Sequence, residues 1–181
     1  MFPNKNLEES KRLEVLSSYD ILDSASDETF DRVTRLAQAA LRAPIAMISL
    51  VDEKRQWIKS GQGLALQELP RAISICAHTI EGNEPLIVPD LREDRRFAAS
   101  QLVAGEPRIR FYAGVPLTAH GGFKLGTLCT ADIEPRNVSA CEVGRLQDLA
   151  RLTIDLFELK RMALSDSLTG LCTRRAFVTE S

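Results

Sequence analysis

The chain has 181 residues, 44% of them hydrophobic and 27% charged, which is enough for one globular domain that builds its core without disulfides or metals. Its formal charge of −2 gives no electrostatic basis for binding nucleic acid. The longest apolar run, Ile45 to Val51, falls well short of the roughly 20 residues of a membrane span, and residues 1–16 are too polar for a signal peptide.

Four cysteines (Cys76, Cys129, Cys141 and Cys172) and two histidines (His78 and His120) are present, with no C-x-x-C pair. The pattern points to free thiols in a reducing cytoplasm, with no metal and no required cofactor. Cys129 and Cys141 fit the role of small apolar filler.

In chain order, Asn6 is placed to cap a helix over 6–19, with Glu8 and Glu9 favourable in its first turn. Asp27 or Ser26 then caps a second helix that reaches about Arg42, with one apolar stripe of Phe30, Val33, Ala37, Ala40 and Leu41. Strands are expected at 45–51 and 56–61, joined as a hairpin by a charged turn at 52–55. A short helix is expected over 71–81, carrying Cys76 and His78, then a strand at 85–90 and a helical turn at 94–101. Residues 109–118 favour a pleated surface, and Pro116 inside them predicts an edge or a bulge. His120-Gly121-Gly122-Phe123 predicts a hairpin turn into a strand over 124–132.

The longest helix is expected over 139–165, opened by a Ser139/Glu142 capping box. Along it Leu149, Leu152, Leu156, Leu159 and Ala163 recur at alternating spacings of three and four, a heptad seam about two heptads long. Val143, Leu146 and Ala150 are expected to pack on the sheet, and the later half on a partner helix. The order of elements is that of an α+β domain, a mainly antiparallel sheet of five or six strands with helices at both ends.

Five segments carry a resemblance. The run 43–52 followed by Arg55-Gln56-Trp57, the run Ser74-Ile75-Cys76-Ala77-His78-Thr79-Ile80, Val88-Pro89-Asp90 with Asp94-Arg95-Arg96-Phe97, the run 109–117, and Leu125-Gly126-Thr127-Leu128-Cys129 occur in this order. Together, over roughly residues 10–160, they resemble the GAF domains found at the start of bacterial signalling proteins. Residues 166–177, Asp-Ser-Leu-Thr-Gly-Leu-Cys-Thr-Arg-Arg-Ala-Phe, are similar to the opening D-x-L-T-G-L-x-N-R-R-x-F of GGDEF-type diguanylate cyclases, with Thr173 in place of the usual Asn. The implied organisation is an N-terminal helix (1–25), a GAF sensor domain (26–160), and a linker with the start of a GGDEF domain (161–181). The glycine turn, signature acidic residues and metal carboxylates of a cyclase do not occur in the sequence, so this stretch by itself is not expected to make cyclic di-GMP.

The resemblance implies a small-molecule pocket between the sheet and the segment 64–109. Trp57, Ile75, Phe97, Phe111 and Tyr112 are candidate apolar walls, and Cys76, His78, Asp90, Arg96 and Arg110 candidate polar groups. Each has a plainer alternative: core packing for Trp57 and Phe111, a solvated face for Arg92, Arg95 and Arg96, and a turn brace for Asp90. A covalent bilin is disfavoured because Ala77 separates Cys76 from His78, and a catalytic role would need those two on a shared face. Redox sensing by Cys76 remains open. The expected assembly is a parallel homodimer through Leu149, Leu152, Leu156 and Leu159, passing a signal to the C-terminal domain. The alternative is a ligand-free dimerisation scaffold.

Overall fold

The computed structural model describes residues 5–169, with side chains from 6 to 164. Helices α1 (Lys5–Ser18) and α2 (Glu28–Leu41) precede strands β1 (Ile45–Val51), β2 (Arg55–Gln62) and β3 (Glu68–Pro70). A 3-10 turn (Arg71–Ile73) leads into the short helix α3 (Ile75–Thr79), then β4 (Leu86–Val88) and α4 (Gln101–Ala104). β5 (Phe111–Thr118), β6 (Lys124–Asp132) and the long helix α5 (Ala140–Thr169) complete the order. The six strands form one antiparallel sheet in the order β3-β2-β1-β6-β5-β4. This is the expected α+β architecture.

Both faces of the central strands are buried. Ala46, Ile48 and Leu50 of β1 face a core filled by α1, α2 and α5, while Ile45, Met47 and Val51 face the layer formed by α3 and the crossing segment. On the three-helix side, Phe30 and Phe157 are fully buried with ring centroids 4.9 Å apart, and Tyr19 meets Phe157 edge-on. Leu146, Ala150, Ile154 and Phe157 recur at helical spacing and bury one face of α5. Leu16, Tyr19 and Ile21 belong to the same core, so the N-terminal helix is packed into the domain and not appended to it.

Local chemistry explains the boundaries. The Asp27 carboxylate accepts the Thr29 N–H at 2.9 Å and opens α2. The capping box at α5 is formed: Ser139 N–H reaches Glu142 Oε2 at 2.8 Å and Glu142 N–H reaches Ser139 Oγ at 3.3 Å. Gly121 and Gly122 both take positive φ in the β5–β6 turn. β4 pairs only with Tyr112 to Gly114, so Pro116 lies beyond its reach, on a free edge where no donor is missed.

The helical turn placed at 94–101 opens at Asp94, whose carbonyl accepts from Ala98 N–H at 2.9 Å, and a short helix capped by Ser100 follows at Gln101–Ala104. Two expectations change. The helix expected over 71–81 is split at Ser74, which ends the 3-10 turn and caps α3 by accepting from Ala77 N–H. The three-residue β3 was not foreseen, because a strand this short has no alternation to read.

Two carboxylates tie neighbouring elements together. Glu9 of α1 accepts from Arg12 at 2.8 Å and from Arg71 at 2.6 Å. Asp27 pairs with Lys160 of α5. Hydrogen bonding from Arg12 and Arg71 outweighs partial burial and holds the Glu9 carboxyl at about 2, below its ordinary 4.5. Lys160 does the same for Asp27, from 3.8 to about 2. Both folded values lie below the unfolded ones, so the stabilisation is complete above the unfolded value of 4.5 and is lost as pH falls through 2. Acid titration followed by circular dichroism should show stability falling in that window. Glu9→Gln should flatten the fall, and an unaltered acid profile would remove Glu9 from the account.

Candidate functional site

The layer opposite the three helices is built by α3, the loop after β2, and the residues around Pro107. Beneath α3 lies a cavity of about 40 Å³. Met47, Gln56, Leu64, Leu66, Tyr112 and Cys76 are among its walls, and no charged side chain lines it. Ile75 also faces it, as expected.

Four buried hydroxyls and two thiols gather at its inner end. Cys76 accepts from Ser49 Oγ and from the Tyr112 hydroxyl, each at 3.4 Å, and its Sγ lies 3.8 Å from Cys129 Sγ. Ser49 Oγ is 3.1 Å from Thr127 Oγ1, and the Tyr112 hydroxyl is 2.8 Å from Thr79 Oγ1. These groups are cut off from water and satisfy one another. Burial pushes the Cys76 thiol up. Hydrogen bonds from Cys129, Ser49, Thr127 and Tyr112 oppose this and hold it below its ordinary value. Its hydrogen bond to Cys76, together with burial, pushes the Cys129 thiol up.

The glycine at position 114 makes this arrangement possible. On β5, Tyr112 and Gly114 share a face, and the tyrosine side chain lies across the glycine. A Cβ at Gly114 would stand 2.2 Å from the Tyr112 hydroxyl oxygen.

The structure brings only part of the expected set together. Cys76 and Tyr112 meet at the cavity. Trp57 and Phe111 are buried on the other face of the sheet, in the three-helix core, so the expected pocket role gives way to core packing. Strand alternation is the reason: a residue one position off points through the sheet. His78 is exposed, stacked edge-on against Phe97 at 5.1 Å, on the side of α3 away from Cys76. Residues two apart on a helix do not share a face, so His78 is not a base for Cys76. Phe97 packs in the surrounding core without lining the cavity.

Arg110 and Asp90 pair with each other at the rim, through two hydrogen bonds. Arg96 turns back to Asp94 at 2.6 Å. Neither arginine lines the cavity, so the polar role expected for Arg96 and Arg110 in the pocket is not formed there. Cys141, expected as filler, is exposed, and Cys172 lies outside the described residues. Among the described residues no group of three or more potential metal ligands is gathered, and no helix is long and apolar enough to cross a membrane.

Sequence reasoning missed Ser49, Thr79, Thr127 and the pairing of Cys129 with Cys76. One signal was present: Ser49 interrupts an apolar strand, and Thr127 and Cys129 alternate on β6. Tyr112→Phe should cost about 1 kcal/mol in urea unfolding, the usual net value of a hydrogen bond. Gly114→Ala should cost more, because it displaces the ring itself. Equal effects would show that the glycine is not needed for the close approach.

Comparison with known proteins agrees with the fold. The model of the GAF domain family matches residues 26–154. A cyclic di-GMP phosphodiesterase of Pseudomonas aeruginosa is 37% identical over 169 residues, covering 92% of this chain. The chain spans only 29% of that relative's length. Among solved structures, the GAF domain of an Acinetobacter phosphoenolpyruvate-protein phosphotransferase superposes with a TM-score of 0.63 at 16% identity, covering 87% of this chain and 97% of that one. A free methionine-R-sulfoxide reductase from Neisseria meningitidis gives a TM-score of 0.62 at 19% identity, covering 90% and 97%. These two likenesses concern the fold alone. With its six-stranded sheet, its flanking helices and a family match over most of its length, the chain belongs to the GAF domain family.

Proposed function

We propose that this GAF domain is the regulatory sensor of a cyclic di-GMP signalling protein and that it controls a C-terminal diguanylate cyclase through α5. One observation carries the reading. The helix that packs on the sheet through Leu146 and Phe157 continues unbroken to Thr169, so the segment resembling the cyclase opening, 166–177, starts on the last turn of that same helix. The Pseudomonas relative, named as a cyclic di-GMP phosphodiesterase, supports the signalling context and raises the opposite reaction. The resemblance at 166–177 favours synthesis. Chromatography of products from the full-length protein, given GTP or cyclic di-GMP, separates the two. Hydrolysis without synthesis would overturn the cyclase assignment.

The input we assign to the cavity is a small, mostly apolar molecule with one or two hydrogen-bonding groups, met by Gln56, Cys76 and Tyr112. At about 40 Å³ the cavity admits such a molecule only if the loop bearing Leu64 and Leu66 moves. That small volume also favours the second reading, a ligand-free dimerisation scaffold. Native mass spectrometry of the purified protein discriminates: added mass on the folded chain supports the sensor, and a clean apo dimer supports the scaffold.

Output in either reading is a parallel homodimer in the cytoplasm. Two cyclase halves must meet to join two molecules of GTP, and a ligand biases that meeting only if it binds one dimer state more tightly. Leu149 and Leu156 are half-buried against their own core, while Leu152, Leu159 and Met162 are 53, 62 and 60% exposed on the outer side of α5. The seam is therefore divided by face, and not into a first and second half. Replacing Leu152 and Leu159 together with Glu should leave the fold intact and weaken self-association in sedimentation experiments. An unchanged mass would refute dimerisation through α5.

A further inference from the structure

The two buried thiols have a feature that ligand sensing does not use. Cys76 of α3 and Cys129 of β6 are 53 positions apart in sequence, and their sulfurs lie 3.8 Å from each other. A disulfide needs about 2.05 Å, so the two sulfurs have under 2 Å to close.

The surroundings are asymmetric. Ser49 and Tyr112 both donate to Cys76, and Cys129 is the third neighbour of the same sulfur. Hydroxyl donors stabilise a thiolate. The environment therefore distinguishes a nucleophile, Cys76, from a resolving thiol, Cys129.

Access is asymmetric as well. Cys76 forms part of the cavity wall, and Cys129 does not. The cavity, about 40 Å³, exceeds the roughly 10–15 Å³ needed to seat a single water and so has room for a molecule the size of hydrogen peroxide.

We propose that Cys76 and Cys129 form a peroxide-driven dithiol–disulfide site inside the GAF domain. The Cys76 thiolate attacks one oxygen of hydrogen peroxide, the O–O bond breaks, and the hydroxide that leaves takes up the proton lost from the Cys76 thiol to become water, giving a sulfenic acid at Cys76. The Cys129 thiol then attacks that sulfur. The S–S bond forms, the S–O bond breaks, and the hydroxyl leaves as water with the Cys129 proton. Two thiols are oxidised, one peroxide is reduced, and two waters result. The crosslink ties α3 to β6, the strand that leads into α5, and withdraws the Cys76 wall from the cavity. This input uses the cavity that the proposed function assigns to a ligand, and the crosslink removes Cys76 from that ligand's contacts.

The test uses the full chain with Cys141→Ser and Cys172→Ser, so that only the two buried thiols remain. After brief treatment with hydrogen peroxide, the protein is unfolded in the presence of N-ethylmaleimide and weighed intact. The expected result is loss of both alkylatable thiols, a mass two hydrogens below the reduced chain, and full recovery with dithiothreitol. Two alkylated thiols, under conditions that oxidise the exposed Cys141 of the parent protein, would overturn the proposal. So would added oxygen on Cys76 without a crosslink. In the same background, Cys129→Ser should leave a sulfenic acid at Cys76 that dimedone traps, and Cys76→Ser should leave Cys129 unreactive. The opposite pattern would reverse the assigned roles. Circular dichroism confirms that each variant is folded before it is treated.

Discussion

Strands β1 and β6 run antiparallel at the centre of the sheet, and the interior positions of both are buried on both faces. Burial of this kind requires each face of the strands to be covered by a different layer. One layer is α1, α2 and α5, joined through Tyr19, Phe30 and Phe157. The other is α3 with the crossing segment. The strand pair itself depends on a close backbone approach at Gly126, where a Cβ would stand 1.9 Å from the Ser49 carbonyl oxygen.

The two layers differ in what they leave over. The three-helix side is filled mainly with aliphatic and aromatic groups, and its buried Thr34, Ser60 and Glu158 are hydrogen-bonded to neighbours. The α3 side buries Ser49, Thr79, Tyr112, Thr127 and two thiols. They partner mainly one another, and Ser49 and Tyr112 both donate to Cys76. The α3 side closes over a small cavity, whereas the opposite side is closed by aromatic packing.

α5 packs its inner side into the three-helix core and leaves Leu152 and Leu159 exposed on its outer side. In the proposed homodimer, a shift of that core would change how two such helices meet. The charged residues of the crossing segment, which a reading for anionic ligands would recruit, are instead paired locally: Arg110 with Asp90 and Arg96 with Asp94. Local pairing at the surface costs little and needs no ligand.

Much of the fold was legible in the sequence because the signals are local. The 45–51 strand, the Asp27 cap, the Ser139/Glu142 box and the glycine turn at 121–122 each depend on residues within a few positions. The family was legible for the same reason, as short motifs in a fixed order. The site was not. Whether Trp57 or Met47 reaches the cavity depends on strand register, and a shift of one residue exchanges the faces. Cys76 and His78 look like a pair in the chain, but the helical turn at Ile75–Thr79 directs them apart. Cys76 and Cys129 look unrelated, yet antiparallel pairing and the docking of α3 bring their sulfurs together. The sequence by itself determined the elements, their order and the family, because hydrophobic period, caps and turns act over short range. Only the tertiary structure decided which side chains share a space, because that follows from register and layer packing between residues far apart in the chain.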